Sequence, residues 1–330
     1  MKPPTLLVDG LSIAVVTPTG ERRVAEDVSF HINEGEIVGL AGESGSGKSM
    51  VALSVMRLLP RNARCATGAI SFRGQDIGKL TEDMLDRLRG HELSMIFQEP
   101  MTSLNPLLRS GFQIGEVLEV HAGLSRRAAR AEAVKLMRAV GIPAPEERVD
   151  TYPHQLSGGM RQRVMIAIAI ACAPKLLLAD EPTTALDVSI QAQILGLIRR
   201  LRHERGMAVL FITHDLGVIS ALADRVVIVY AGEVVEEAGT RELFQAPRHP
   251  YTALLMRSMP RLRQRLDALP QIKGTPPVIA SAIGGCRFHP RCPFALPRCQ
   301  AERPALQTVA ERRVARCWRV DEIEPRLREI

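Results

Sequence analysis

Aromatic side chains are scarce in this sequence: one Trp, three Tyr and eight Phe among 330 residues, so its core has to be aliphatic. Lysine is scarcer than arginine by a wide margin, six against 37. Long apolar runs are missing too. The longest, VMIAIAIACA at 164–173, has ten residues, short of the ~20 a membrane-crossing helix needs. The N-terminal MKPPTLLVDG lacks the apolar stretch of a secretory signal. These absences point to a cytoplasmic, soluble chain; any membrane-spanning part has to come from partner subunits. No tandem repeat or low-complexity segment is present. The hydrophobic (46%) and charged (24%) fractions are those of a globular protein, long enough for two domains or one large domain with additions.

The net charge of +7 is unevenly placed: residues 257–330 carry +8 and the remainder −1. A basic tail can bind nucleic acid or anionic lipid. Its arginines are scattered among Pro, Leu and Cys instead of forming a block, which reads as a solvated basic surface.

Apolar runs of strand length occur at 36–41, 94–98, 175–180, 208–213 and 225–230, with helical stretches between them. Such alternation implies a mostly parallel α/β sheet. Residues 48–59 have helical composition, and 109–140 read as two helices broken near Gly123. The region 99–155 shows helices and no strand, which suggests a helical insert. After about 245 proline becomes frequent and the alternation stops, so a separate C-terminal extension is expected there.

Between the strand at 36–41 and the helix from 48 lies GESGSGKS. Gly42, Gly47, Lys48 and Ser49 satisfy the phosphate-loop pattern in its required strand–loop–helix context. The glycines allow a tight turn that aims backbone N–H groups at a β-phosphate, and the helix adds its positive dipole end. Lys48 is expected on the β- and γ-phosphates and Ser49 on Mg²⁺. A sequence that otherwise uses Arg as its cation has Lys here, where a compact ammonium fits a crowded cradle. The whole stretch Gly42, Glu43, Ser44, Gly45, Ser46, Gly47, Lys48, Ser49 and Met50 is the candidate nucleotide contact.

Asp180 and Glu181 end the run LLLAD, at the sheet edge where ligands bind in open α/β folds. We assign Asp180 to Mg²⁺ and Glu181 to the attacking water as general base or orienting group. His214 follows the run 208–213 and is a candidate γ-phosphate contact. Gln98 ends another and is a candidate Mg²⁺ ligand or water-positioning group. A second phosphate grip is visible at Leu156, Ser157, Gly158 and Gly159 (LSGG), where Ser157 can cap a helix whose glycines expose their N–H groups.

With these motifs in this order, and with Asp187 closing the stretch ALD, the chain resembles the nucleotide-binding subunits of ATP-binding-cassette (ABC) transporters over nearly its whole length. The resemblance implies an α/β P-loop ABC-type nucleotide-binding domain: a mostly parallel core sheet, N-terminal antiparallel strands, a helical subdomain and a Cys-containing C-terminal extension. It divides the chain into a first part of the catalytic core (1–98), the helical insert (99–155), the second part of the core (156–245) and the extension (246–330). It also explains the two grips. The signature residues 156–159, with Asp187, act on ATP held by another subunit's phosphate loop, and ATP binding and hydrolysis close and reopen the pair.

The stretches QEPMTSLNP (98–106), HPYTALL (249–255) and GCRFHPRCPFALPRC (285–299) resemble the oligopeptide/dipeptide import branch, whose relatives also handle nickel and glutathione. Implied partners are two membrane permease subunits, an external solute-binding protein and a second ATPase, a paralogue or a second copy. The implied place is the cytoplasmic face of the membrane. An ABC ATPase acting on nucleic acid is the alternative the basic tail raises. It is disfavoured by the single cassette and the lack of heptads, so no nucleic acid is expected. A metal- or redox-sensing regulator would need a degenerate catalytic set, but Glu181 and His214 are both present.

Cys286, Cys292, Cys299 and Cys317 fall within 32 residues, far from Cys65 and Cys172. In a reducing compartment four such thiols suit Zn²⁺ or an iron–sulfur cluster. Their spacing matches neither a zinc ribbon nor a ferredoxin. The resemblance favours [4Fe–4S], because members of that branch carry one on this pattern. One departure concerns adenine. The family stacks an aromatic ring on it, whereas the corresponding residue is Val15 and no aromatic occurs in residues 1–29.

Overall fold

In the computed structural model the described residues are 3–18, 20–98, 103–183, 186–259, 272–277 and 283–322. The strands among the described residues are β1 (Leu6–Thr17), β2 (Gly20–Ile32), β3 (Ile37–Ala41), β4 (Ala63–Phe72), β5 (Gln75–Asp76), β6 (Leu93–Ile96), β7 (Leu176–Asp180), β8 (Ala208–Thr213), β9 (Arg225–Tyr230), β10 (Glu233–Gly239), β11 (Gln307–Ala310) and β12 (Arg313–Ala315). The helices are α1 (Lys48–Val55), α2 (Glu82–Leu88), α3 (Ser110–Ala122), α4 (Arg126–Ala139), α5 (Pro145–Arg148), α6 (Gly158–Ile170), α7 (Val188–Arg205), α8 (Leu216–Leu222), α9 (Thr240–Gln245), α10 (Pro250–Arg257) and α11 (Pro297–Ala301).

They group into two units. One comprises residues 1–6, 32–37 and 72–212, the other 7–31, 38–71 and 213–330. In the first, β6, β7 and β8 pair in parallel and every residue of the three is buried. Strands covered on both faces read as unbroken apolar runs, which is why 175–180 and 208–213 stand out in the sequence. Helix α6 packs on β6, while α3 and α4 pack on each other and on α6. Gly123 ends α3 in the left-handed conformation, where the sequence placed the break. Among the described residues of 99–155 there is no strand.

In the second unit β3 pairs in parallel with β9, and β9 and β10 form an antiparallel hairpin. Strand β12 continues this sheet by pairing antiparallel with β10, and β11 with β12. The chain beyond 245, expected as a separate extension, therefore completes the edge of the sheet. Strands β2, β1 and β4 lie side by side in another sheet. The core over β9 and β10 is aliphatic with one exception. Tyr230, Tyr251 and Phe288 meet with ring centroids 4.6 to 5.4 Å apart, so part of the small aromatic supply is concentrated at one place.

Three expectations need correction. Helix α1 stops at Val55, not 59: Arg57 takes a left-handed φ of 51° that a helix cannot continue through. Strand β6 ends at Ile96, so Gln98 stands two residues beyond it. The basic C-terminal region is not simply a solvated surface. Arg287 pairs with Glu26 and with Glu233 at 2.8 Å, Arg313 with Glu236 at 2.8 Å, and Arg316 with Asp27 at 3.2 Å. All three of these arginines are buried.

Candidate functional site

The phosphate loop belongs to the second unit, between β3 and α1. Its tight fold is dictated by what surrounds it. A Cβ on Gly42 would lie 2.0 Å from the Val229 carbonyl oxygen, and one on Gly47 2.6 Å from that of Val24, with φ +97° at Gly47. No other residue type fits either place without displacing backbone. The β9–β10 turn braces the loop, with the Gly232 N–H donating to the Ser46 carbonyl at 3.0 Å. Gly47 caps α1 without any side-chain hydrogen bond, so the first turn keeps its N–H groups for an anion. Lys48 is buried, and its Nζ donates to the carbonyls of Gly42 and Glu43, both at 2.8 Å, and to Ser46 Oγ at 3.2 Å. The ammonium is thus held on the loop itself, at the inner side of a backbone cradle. Val15 sits half-buried in β1 of the same unit, and His214 is exposed just after β8.

The first unit carries the remaining nucleotide-site candidates. Asp180 is buried at the end of β7, followed by Glu181 with a left-handed φ of 47°. A non-glycine residue in that region stores strain of ~1–3 kcal/mol, and such strain concentrates at working sites. The Glu181 N–H is fixed on the Ile212 carbonyl at 2.9 Å. Gln98 is exposed; residues 99–102, the first part of the loop after it, lie outside the described residues. The donors assigned to the metal are the Ser49 hydroxyl, the Gln98 amide and the Asp180 carboxylate. All are hard oxygen groups, the chemistry Mg²⁺ prefers.

Ser157 caps α6, accepting the Met160 N–H at 3.3 Å, as its position predicts. Ser157 and Gly158 are exposed, and a Cβ on Gly158 would meet nothing within 4 Å, so this grip is open to a partner. Leu156 beside them is buried. Asp187 caps α7 through the Ile190 N–H at 2.9 Å; its neighbours 184 and 185 lie outside the described residues.

Two residues of α6 escaped the sequence reading. Buried Gln162 donates from Nε2 to the Pro182 carbonyl at 2.9 Å, which ties the signature helix to the segment after Glu181. Arg163 donates to the carbonyls of Val140 and Gly141 and to Gln193, and so anchors the end of α4. Burial lowers the Arg163 pKa, and the Asp187 carboxylate partly offsets this. The only available signal was polarity at the start of an apolar helix.

Cys286, Cys292, Cys299 and Cys317 line one small, largely apolar cavity of about 20 Å³, together with Phe288, Phe294 and Trp318. Burial pushes the Cys286 and Cys292 thiols up to about 11 and about 12, against backbone N–H groups donated by Phe288 and Phe294. Cys317 is likewise raised by burial and receives the Arg319 N–H at 3.4 Å. Three thiols thus each take an N–H from the residue two positions on, an arrangement that favours thiolate if a cation displaces the protons. Among the described residues no group of three or more His, Cys, Asp or Glu side chains is placed to hold a metal ion.

Known proteins share this combination. The family profile described as ABC transporter matches residues 25–184, and that of the oligopeptide/dipeptide transporter C-terminal region matches 235–299. The chain is 47% identical to the Dipeptide transport ATP-binding protein DppD of Escherichia coli (strain K12) over 94% of its length and 95% of the relative's. It is 50% identical to the Oligopeptide transport ATP-binding protein AppD of Bacillus subtilis (strain 168), over 90% and 91%. Among solved structures it matches the dimeric post-hydrolysis state of the ATP-binding cassette MJ0796 bound to ADP and Pi. That match has a TM-score of 0.66 at 29% identity, over 72% of this chain and 99% of that one. A phosphate cradle, a capped signature helix and a strained glutamate after a buried aspartate, on a chain so closely matched, lead to one conclusion: it belongs to the ATP-binding cassette ATPases of ABC transporters, in the group defined by the oligopeptide/dipeptide transporter C-terminal region.

Proposed function

We propose that the chain is the ATP-hydrolysing subunit of a peptide importer, working at the cytoplasmic face of a membrane on two permease subunits fed by an external binding protein. Among the described residues no helix is long and apolar enough to cross a membrane, which fits the division of labour. The observation that carries the reading is the loop at 42–49. Glycine is sterically required at both of its ends, and the buried Lys48 is held inside it.

In this reading the loop N–H groups and Lys48 bind the β- and γ-phosphates of ATP, with Met50 and Val15 completing the nucleotide contacts. Ser49, Gln98 and Asp180 hold Mg²⁺, which when bound neutralises phosphate charge. Glu181 orients the attacking water and accepts its proton, and His214 contacts the γ-phosphate. Leu156, Ser157, Gly158, Gly159 and Asp187 close over the nucleotide of a second ATPase subunit. Loss of the γ-phosphate removes the bridging charge and lets the pair reopen. The buried ion pairs of Arg287, Arg313 and Arg316 speak against the nucleic-acid alternative, because these cations already face carboxylates.

The cysteine cavity fits a soft-metal group. Four cysteines lining one pocket supply the soft thiolates that an iron–sulfur cluster or Zn²⁺ takes, and the likeness to the import branch is what favours [4Fe–4S]. Iron and acid-labile sulfide in anaerobically purified protein test this; a colourless, iron-free preparation would contradict it. For transport, the chain is reconstituted with its permeases in vesicles. ATP-dependent dipeptide uptake, abolished by Lys48→Ala, is expected. Uptake of nickel or glutathione without dipeptides would reassign the solute.

A further inference from the structure

The phosphate loop contains a carboxylate, Glu43, at a place where polyphosphate has to approach. Its charge is met by Arg291. Arg291 clasps it with both arms, Nη1 to Oε2 at 2.6 Å and Nη2 to Oε1 at 2.9 Å. Arg291 is itself fixed on every side. Its Nε donates to the Lys273 carbonyl at 3.0 Å, and its guanidinium lies 5.7 Å over the Tyr230 ring. The Glu43 N–H donates to the Tyr251 hydroxyl at 2.9 Å, and the Glu43 carbonyl accepts Lys48 Nζ. Glu43 is therefore held by side chain and backbone from residues more than 200 positions away, and through it the phosphate-binding lysine is placed.

Arg291 does not come from an ordinary loop. It lies directly before Cys292, in the segment 286–292 that supplies two of the four cavity thiols. The same segment carries Phe288, which closes the ring cluster with Tyr230 and Tyr251. The backbone N–H of Phe288 bonds the Cys286 thiol, and the Arg291 N–H bonds the Phe288 carbonyl at 3.0 Å. An order imposed on Cys286 and Cys292 is thus an order imposed on Arg291.

We propose that Arg291 is a positioning residue of the ATP site, neutralising and orienting Glu43, and that the four-cysteine cavity thereby controls how well the phosphate loop accepts ATP. This rests on the reading of residues 42–49 as the ATP site. With Arg291 in place the loop presents N–H groups and an ammonium to the phosphates. Without it an uncompensated carboxylate stands beside them.

The test is ATP affinity of the purified full-length chain, measured by calorimetry on wild type, Arg291→Met, Arg291→Lys and the double variant Glu43→Gln/Arg291→Met. Arg291→Met is expected to weaken ATP binding on the order of tenfold. Arg291→Lys, which keeps the charge but not the fork, should fall between. The double variant should bind ATP more tightly than Arg291→Met, because the repelling carboxylate is gone while the backbone N–H of residue 43 is kept. A role in folding alone would not be rescued in this way. Cys292→Ala, which alters the cavity next to Arg291, should weaken wild type toward Arg291→Met and leave the double variant unaltered. Equal affinities for wild type and Arg291→Met, a double variant no better than Arg291→Met, or a Cys292→Ala change that acts on both proteins alike or on neither, would overturn the proposal. Should Arg291→Met not fold, Arg291→Lys with and without Glu43→Gln gives the same comparison. If wild type itself binds no ATP, the site reading fails instead.

Discussion

Acidification should loosen the C-terminal region through one residue, His249. Its ring is buried, caps α10 by accepting the Tyr251 N–H on Nδ1 at 3.1 Å, and packs 5.8 Å from Phe288. Burial lowers its pKa from the ordinary 6.5 to about 3, against a hydrogen bond to the Arg316 backbone that raises it and with the smaller help of the Arg316 charge. The native state therefore keeps a neutral ring at pH values where the unfolded chain takes up a proton. Above about pH 6.5 the two states bind the same number of protons and nothing is lost. Below it, stability falls by about 1.4 kcal/mol per pH unit from this group until the native pKa is reached, roughly 3 kcal/mol by pH 4.5. Other groups titrate as well, so the assay compares two proteins. Wild type and His249→Asn, whose side chain can still cap the helix, are unfolded in urea at a series of pH values. The variant should be less stable at pH 7 and show a shallower loss between pH 6.5 and 4.5, by up to one proton. Parallel curves for the two proteins would refute the assignment of a neutral, buried imidazole.

Other expectations follow from the site. Glu181→Gln should bind ATP with near wild-type affinity, hydrolyse it at least a hundredfold more slowly ("~100" by the usual worth of a general base) and accumulate as an ATP-bound dimer on gel filtration; normal turnover would remove Glu181 from the chemistry. Gly47→Ala has to place a Cβ 2.6 Å from the Val24 carbonyl at φ +97°, so a stability loss of about 1–3 kcal/mol together with lost ATP binding is expected; an unaltered melting curve would contradict the described loop. With Val15 in place of a ring, GTP should compete with ATP within about tenfold, since one stacking contact contributes only ~0.5–1.5 kcal/mol; strong discrimination in a competition assay would point to another base contact.

What the sequence disclosed depended on whether the controlling interactions were local. The runs 208–213 and 225–230 coincide with β8 and β9, because strands buried on both faces leave no polar interruption. The break at Gly123 and the cap at Ser157 are decided within a few residues, and the cap acts as a helix start. The overrun at 97–98 has the opposite cause: Phe97 is apolar, yet partly exposed. Strands β11 and β12 are too short to announce themselves; β12 is defined by pairing with a strand about 80 residues earlier, and β11 by pairing with β12. The arginines of the C-terminal region looked solvated because their carboxylate partners are far along the chain, Glu26 and Asp27 more than 250 residues away. The clasp of Arg291 on Glu43 was hidden for the same reason.

The account turns on ATP being shared, cradled by residues 42–49 of one subunit and covered by residues 156–159 of another. Hydrolysis rate per chain, measured against protein concentration for wild type and for Ser157→Arg, tests this most directly. The rate should fall on dilution, and Ser157→Arg should abolish it while ATP still binds the phosphate loop. A rate indifferent both to dilution and to Ser157→Arg would contradict the shared site and the transport role derived from it.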